Sequence, residues 1–192
     1  MKKSVKGTLT ERNLLTSFAG ESQARMRYTY FAQKAQEEGF EQIAAIFAET
    51  AEQERMHAQR MFSYLEGGMV KIEAAFPAGV ISTTLENLKA AAAGEHEEAF
   101  ELYPIFAETA EKEGFPEIAI MYRCIIVAEQ AHEQRYKKLM MNIEKEKVFK
   151  RNEERVWQCR KCGYIHTGAE APKQCPACLQ PQGYFQLKED NF

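Results

Sequence analysis

The sequence predicts an all-α four-helix bundle over residues 1–150, followed over residues 151–192 by a small domain of short β-strands and metal-binding turns. Three observations favour this architecture. The long first region is rich in Ala, Glu, Gln, Leu and Met and poor in Pro and Gly, a composition typical of helices. Its two halves repeat one another. After Trp157, helical periodicity is lost, Gly and Pro become frequent, and two CxxC pairs appear.

Glycine and proline mark the boundaries of the four helices. Glycine closes helices because it readily adopts a left-handed conformation, and proline is tolerated in a first turn. Pro116 therefore suits the start of the fourth helix. The segment AAFPAG (74–79) predicts one long connection in the middle, which favours a ferritin-like bundle over a simple up-down one. The glycines expected to end the first three helices are Gly39, Gly67-Gly68 and Gly114.

An internal repeat relates the first helix pair to the second. FAQKAQEEGFEQIA (31–44) reappears 75 positions later as FAETAEKEGFPEIA (106–119). Upstream, Gly20-Glu21 match Gly94-Glu95 at an offset of only 74. The third helix therefore contains one additional residue, placed between Glu95 and Tyr103. A single insertion with both flanks in register predicts a π-bulge, a feature that is frequent at functional sites.

Two Glu-x-x-His motifs lie on helix faces that should be apolar. Glu54 and His57 interrupt the apolar stripe of the second helix, and Glu129 and His132 lie within the nearly apolar run IAIMYRCIIVAEQAH (118–132). A single motif of this kind in a Glu-rich helix is usually solvated surface. Two copies at equal offsets, each on an apolar face, favour a metal site instead.

The first and third helices add further carboxylates to the same level of the bundle: Glu21, Glu95 and, one turn beyond, Glu98. Burying unpaired carboxylates costs several kcal/mol, and two cations would relieve all of them. Two Glu-x-x-His motifs plus one Glu from each remaining helix is the di-iron carboxylate pattern, and such ligands suit iron or manganese. The predicted ligands are Glu21, Glu54, His57, Glu95, Glu98, Glu129 and His132.

Two tyrosines lie near the predicted metals. Tyr28 follows Glu21 by seven residues, and Tyr103 follows Glu95 by eight. Their hydroxyls are expected to hydrogen-bond ligand carboxylates, with ordinary core aromatics as the alternative. Cys124 stands alone in a helical stretch and is expected to serve packing only.

The C-terminal region predicts a second metal site. Cys159-x-x-Cys162 and Cys175-x-x-Cys178 are separated by twelve residues, and each turn directs two thiolates at one point. About 40 residues cannot bury enough core to fold without help from a metal. This spacing fits zinc as well as iron, so a structural zinc ribbon remains an alternative. The charged segment 142–155 predicts a linker or a fraying helix end.

Composition argues against several other classes of protein. The net charge of −3 gives little reason to expect a nucleic-acid partner. No stretch approaches the roughly 20 apolar residues of a membrane span, and MKKSVKGTLTERN lacks the apolar core of a signal peptide. We therefore expect a cytoplasmic protein, where paired CxxC motifs indicate metal rather than disulfides. No GxGxxG is present, so a nicotinamide should bind elsewhere.

These motifs resemble known families. CGY after the first CxxC, CPAC at the second, and Trp157, Tyr164 and Phe185 resemble rubredoxin, although Leu179 stands where rubredoxins usually have glycine. GESQARMRY, FAETAEQERMH, AAFPAG, GEHEEAFELYP and AEQAH resemble rubrerythrin, in the same domain order and over essentially the whole chain.

The resemblance implies a non-haem peroxidase that reduces hydrogen peroxide to water in defence against oxidative stress. Its cofactors would be an oxo- and carboxylate-bridged di-iron site and one iron on the four cysteines. Electrons would come from NAD(P)H through a separate reductase or rubredoxin. Family members are homodimers in which the cysteine iron of one subunit faces the di-iron site of the other.

The resemblance also implies a role for each residue. Glu54 and Glu129 would bridge the irons, with Glu21 terminal on one. The remaining implied roles are Glu95 and His132 on the other iron, and exchange of Glu98 and His57 on the first. From their positions near the predicted metals, Glu98, Tyr28 and Tyr103 are also candidate catalytic residues, the tyrosines as groups that position protons. Two other functions stay open: iron oxidation and storage on a ferritin-like bundle, and a zinc-ribbon interaction module.

Overall fold

The protein, a computed structural model that describes residues 3–189, is a helical bundle followed by a three-stranded sheet. Residues 1–2 and 190–192, the outer ends of the two predicted domains, lie outside the described residues. The helices are α1 (Leu9–Glu37), α2 (Glu41–Phe62), α3 (Thr84–Glu97), α4 (Tyr103–Lys112) and α5 (Pro116–Glu144). The strands are β1 (Lys150–Cys159), β2 (Ile165–Glu170) and β3 (Phe185–Leu187).

A π-helical turn, Glu98–Leu102, joins α3 to α4, so that together they form the predicted third helix. The π-bulge expected between Glu95 and Tyr103 is confirmed. The wide turn takes up the inserted residue, and the helix on either side keeps its register with the first half of the chain.

The predicted end of the second helix is wrong. Helix α2 ends at Phe62, five residues before Gly67. The N–H of Tyr64 bonds to the carbonyl of Met61, and that of Leu65 to the carbonyl of Phe62, so tight turns replace the α-helical pattern. Gly67 and the residue after it have φ of 78° and 100° and turn the chain later, inside the crossover to α3.

Two apolar clusters fill the bundle, one towards each end. One is centred on Tyr28, Phe47 and Tyr136, and the other contains Tyr103 and Tyr122. Along each of the four helices of the bundle, the predicted carboxylate ligands lie between residues of the first cluster and residues of the second. The acidic side chains therefore form a buried polar layer across the middle of the bundle.

The two halves of the bundle turn through equivalent corners. Gly39 and Gly114 both have φ of 78°, and the following N–H groups, of Phe40 and Phe115, each lie 2.8 Å from a carbonyl five residues earlier. A different part of the chain covers each corner. Lys3 lies over the ring of Phe115, with its Nζ 4.9 Å from the centroid.

The C-terminal domain covers the other corner. Phe149 stacks on Phe40 with 6.1 Å between ring centroids and 4° between planes. Gly183 approaches so closely that a Cβ there would lie 2.3 Å from the carbonyl oxygen of Gly39. Only glycine fits this contact, which fixes the small domain at the α1–α2 corner.

The sheet has the order β2-β1-β3 and is antiparallel throughout. Trp157 pairs with His166 on one side and Leu187 on the other, and its buried ring lies in the domain core. The expectation for residues 142–155 was partly wrong, because Lys150–Arg155 belongs to β1. Lys150 and Arg155 pair with β2 on either side of an irregular stretch, while the charged side chains stay largely exposed, and composition alone could not show that pairing.

Among residues 3–189, no helix combines the length and the hydrophobicity that crossing a bilayer requires.

Candidate metal centres

The middle of the bundle brings carboxylates and imidazoles together from four helical segments. In a first group, ligand atoms of Glu21 on α1, Glu54 and His57 on α2, and Glu129 on α5 all lie within 4.8 Å of one another. In a second group, Glu54 and Glu129 converge in the same way with two more of the predicted ligands, Glu95 on α3 and His132 on α5. Glu54 and Glu129 belong to both groups and lie between them. The internal repeat of the sequence therefore appears as two matching ligand sets.

Each imidazole faces more carboxylate oxygens than it can bond. Nδ1 of His57 lies 2.9 Å from oxygens of both Glu54 and Glu129. Nδ1 of His132 lies 2.9 Å from Glu129, 3.2 Å from Glu54 and 3.3 Å from Glu95. A ring nitrogen can donate only one proton, so hydrogen bonds cannot explain these convergences.

Four buried oxygens of this cluster make no hydrogen bond of good geometry, although an imidazole nitrogen lies within 3.2 Å of three of them. They are Oε2 of Glu21, Oε1 of Glu54 and both carboxylate oxygens of Glu129. Buried acceptors without partners are costly, and one cation within each ligand set would satisfy all of them. The donor set of oxygens and imidazole nitrogens fits a pair of iron ions.

The protonation of the cluster reflects its burial. Burial raises the pKa of Glu95 to about 8, and burial and neighbouring carboxylates raise that of Glu21 well above its ordinary value. Burial also opposes the charge of Glu129, but the two imidazoles lower its pKa to about 2. Although burial opposes the imidazolium charge, the carboxylates raise the pKa of His57 to about 10 and of His132 to about 12. Without cations, the cluster must retain protons.

The two tyrosines make the expected hydrogen bonds, each to a carboxylate on another helix. Tyr28 donates to Oε1 of Glu95, and Tyr103 donates to Oε1 of Glu21, both at 2.6 Å. Burial, followed by the charge of the bonded carboxylate, raises the pKa of both phenols well above the ordinary value. Both hydroxyls therefore hold their protons. The π-turn allows Tyr103, with its longer spacing from Glu95, to match Tyr28.

Glu98 lies beside the two ligand sets and is a member of neither. It begins the π-turn and borders a cavity of about 390 Å³ between α1 and the crossover segment 73–77. Burial and the nearby carboxylates raise its pKa well above the ordinary value. Sequence reasoning missed two cavity residues, Arg27 and Phe76, because helix periodicity does not show which side chains face a crossover. The phenylalanine of AAFPAG was the available signal.

A second opening of about 390 Å³ lies on the other side of the cluster, between α2 and α5. His57 and His132 line it together with Arg135, a residue that sequence reasoning also missed. The imidazole edge of the cluster is therefore the part that lies nearest to a molecule docked on this face.

The four cysteines of the small domain converge on one point, with their Sγ atoms within 4.8 Å of one another. Sγ of Cys159 lies 3.8 Å from Sγ of Cys178, and Sγ of Cys162 lies 3.7 Å from Sγ of Cys175. These distances exceed a disulfide bond of about 2.05 Å. They match the edge of about 3.8 Å in a tetrahedron with metal–sulfur bonds of about 2.3 Å. Cys124 is exposed on α5, so its expected packing role is wrong.

The two cysteine turns are nearly identical in their backbone. The N–H of Gly163 bonds to the carbonyl of Cys159, and that of Leu179 to the carbonyl of Cys175, both at 2.9 Å. Gly163 has φ of 79°, whereas Leu179 adopts φ of 61°, in the left-handed region that favours glycine. The unusual Leu179 thus occupies a position of backbone strain.

Replacing Leu179 with glycine should stabilise the iron-loaded small domain by about 0.5–1 kcal/mol. The left-handed conformation costs an L-residue about 1–2 kcal/mol, and part of that gain is offset by the greater freedom of glycine in the unfolded chain. Little packing is lost because Leu179 is 68% exposed. Denaturant unfolding followed by loss of the iron–thiolate absorption would measure the change. A less stable Leu179→Gly protein would contradict this account.

Comparisons with known proteins agree with both sites. The family model described as rubrerythrin matches residues 12–140, and the model for the rubrerythrin rubredoxin-like domain matches residues 157–186. A rubrerythrin of Porphyromonas gingivalis is 59% identical over 100% of this chain and 96% of its own. A rubrerythrin of Nitratidesulfovibrio vulgaris is 55% identical over 99% of this chain and 100% of its own.

Solved structures show the same architecture. Partially reduced nigerythrin superposes with a TM-score of 0.61 at 29% identity, over 97% of this chain and 92% of that one. A Mycobacterium tuberculosis bacterioferritin superposes with a TM-score of 0.58 at 17% identity, over 71% of this chain and 86% of its own. The second likeness shows a shared bundle fold alone.

Proposed function

Because the chain belongs to the rubrerythrin family, with a di-iron site in its bundle and a rubredoxin-like iron domain after it, we propose that it is a peroxidase. It reduces hydrogen peroxide to two waters with two electrons and two protons, and so serves in defence against oxidative stress in the cytoplasm. One observation supports this most strongly. Two ligand sets share Glu54 and Glu129 in one bundle, and a four-cysteine site follows in the same chain.

The ligand sets support a division of roles. Glu54 and Glu129 belong to both sets and would hold both ions. Glu21 would bind one ion and Glu95, with His132, the other. His57 lies within the first set and Glu98 just outside it, so His57 would hold the first ion and Glu98 would be the residue available to take its place.

Two ferrous ions bound here would supply the two electrons that cleavage of the peroxide O–O bond requires. The side chains of the protein orient the ligand carboxylates and supply a proton. Tyr103 donates a hydrogen bond to Glu21 and Tyr28 donates one to Glu95, and these bonds fix the orientation of both carboxylates. Glu98, whose pKa is raised, keeps a proton at the edge of the cluster for a departing oxygen.

Electron supply from the small domain of the same chain would be slow. That domain lies at the Gly39 corner, and Glu41, where α2 begins, is about 20 Å along the helix from Glu54, at 1.5 Å per residue. Electron transfer weakens steeply with distance. We therefore propose a homodimer in which the cysteine iron of a second copy docks at the opening between α2 and α5. A separate reductase using NAD(P)H, or a rubredoxin, would reduce that iron.

The proposal is tested by anaerobic turnover of the iron-loaded protein with hydrogen peroxide, NADH and a rubredoxin reductase. We expect peroxide-dependent oxidation of one NADH for each peroxide consumed, since both are two-electron steps. Glu54→Ala should abolish this activity. Glu52→Ala, a matched change at an exposed glutamate two residues earlier on α2, should retain it.

Two results would contradict the proposal. Accumulation of a ferric core in a large cage, without peroxide-dependent NADH oxidation, would favour iron storage. Colourless protein with one zinc on the four cysteines would favour an interaction module.

A further inference from the structure

The cavity beside Glu98 leads from solvent to the edge of the carboxylate cluster. Glu98 and Tyr103, which donates to Glu21, line its inner side. Phe76 and Pro77 of the crossover line its outer side. A small molecule that enters this cavity meets the cluster at Glu98. The opening between α2 and α5 instead leads to the two imidazoles.

Gly20 on α1 lies between the inner and outer sides of this cavity. A Cβ at this position would lie 3.6 Å from Oε1 of Glu98 and 3.6 Å from Cε1 of Phe76. Alanine would therefore fit without a clash, and it would also favour the helix, because glycine weakens a helix interior relative to alanine. Neither packing nor backbone conformation therefore requires glycine at position 20. The effect of glycine here is to leave the gap between Glu98 and Phe76 open.

Phe76 separates this space from solvent. Its ring is 38% exposed, with its Cε1 edge towards Gly20. The crossover is tied to α1 at the next residue, where Nε2 of Gln23 donates to the carbonyl of Pro77 at 3.1 Å. The ring is thus held at the mouth of the passage between Phe76, Gly20 and Glu98, which we name the Phe76 passage.

We propose that hydrogen peroxide reaches the cluster through the Phe76 passage, and that Phe76 limits the substrate to hydroperoxides without an alkyl group. This inference rests on the proposed function. Hydrogen peroxide is small and polar on both oxygens, so it can pass the ring and bond to Glu98. An alkyl hydroperoxide has a bulky apolar group that would have to occupy the volume of the ring.

The first test measures access without turnover. Azide binding to the oxidised, iron-loaded protein can be followed by stopped-flow absorption. Phe76→Ala should speed azide association and Gly20→Ala should slow it. Phe62→Ala, an exposed phenylalanine on α2 away from the passage, should leave the rate unchanged. Unchanged rates in both passage variants would overturn the route.

The second test measures substrate size. In Phe76→Ala, the ratio of kcat/KM for tert-butyl hydroperoxide to that for hydrogen peroxide should rise about tenfold, a change typical of removing bulk from a pocket. Phe62→Ala should keep the parent ratio. An unchanged ratio in Phe76→Ala, despite faster azide association, would overturn the size limit. Absence of peroxide turnover in the parent would overturn the proposed function, while azide association would still decide the route.

Discussion

Replacing Cys159 with alanine should abolish peroxide turnover driven by NAD(P)H and a reductase, while chemically reduced protein still consumes one equivalent of peroxide. Cys159 is a buried member of the four-cysteine site, and a site with three thiolates cannot hold the iron in its rubredoxin-type geometry. The carboxylate cluster is built entirely by the bundle, so its own reaction should persist. Steady-state and single-turnover assays on the same preparation measure the two activities.

A matched cysteine variant controls for this experiment. Cys124 is exposed on α5 and belongs to none of the three groups of converging ligand atoms, so Cys124→Ala should match the parent in both assays. If Cys159→Ala kept the parent rate with the reductase, the cysteine iron would not be the point where electrons enter the protein.

Removing the metal should destabilise the bundle by several kcal/mol, and increasingly so as the pH rises from about 5 to about 8. In metal-free protein, Glu95 has a folded pKa of about 8, above its ordinary value of 4.5, so folding retains a proton. The stability that this proton contributes is fully present below pH 4.5, the ordinary pKa. It is lost as the pH rises through about 8, the pKa of Glu95 in the folded protein.

The imidazoles act in the same direction at higher pH. His57 and His132 have folded pKa values raised to about 10 and about 12, so their charged contacts stabilise the protein at neutral pH and are lost through those values. Glu129 has the opposite sign. Its folded pKa of about 2, below the ordinary 4.5, means that its contribution is present above pH 4.5 and is lost as the pH falls from there through about 2. Metal ions take the place of the protons, so the loaded protein should depend much less on pH.

Thermal unfolding of metal-free and iron-loaded protein across this pH range would measure the effect. Glu95→Gln, a neutral residue of the same shape, should flatten the pH dependence of the metal-free protein. If metal-free protein at pH 8 were as stable as the loaded form, the carboxylates would not require cations.

The periodic part of the structure could be predicted from sequence. Because side chains recur on one helix face every three or four residues, Glu54 and His57 on an apolar face were expected to point into the bundle. The repeat then related them to Glu129 and His132. The π-turn followed from the difference between offsets of 75 and 74, since an inserted residue must widen one turn if the flanking faces keep their register.

Other features depended on contacts between distant segments. The hydrogen bond from Tyr28 crosses to Glu95 on another helix, and one helix's periodicity gives no information about its partner. The position of Phe76 over Gly20 depends on the path of the crossover across α1. Glu98 shares a helix face with Glu95 in sequence, but the π-turn places it outside the converging ligand atoms.

The matched corners at Gly39 and Gly114 have a consequence for engineering. The duplicated helix pair provides two corners of the same backbone shape. The C-terminal domain packs on the corner at Gly39, and the N-terminal segment packs on the corner at Gly114. The order of the chain therefore brings the cysteine domain to the Gly39 corner and the N-terminal segment to the Gly114 corner. In a permuted chain, the cysteine domain would be attached ahead of α1. It would then lie beside the Gly114 corner, which has the same backbone shape as the Gly39 corner and lies at the opposite end of the bundle.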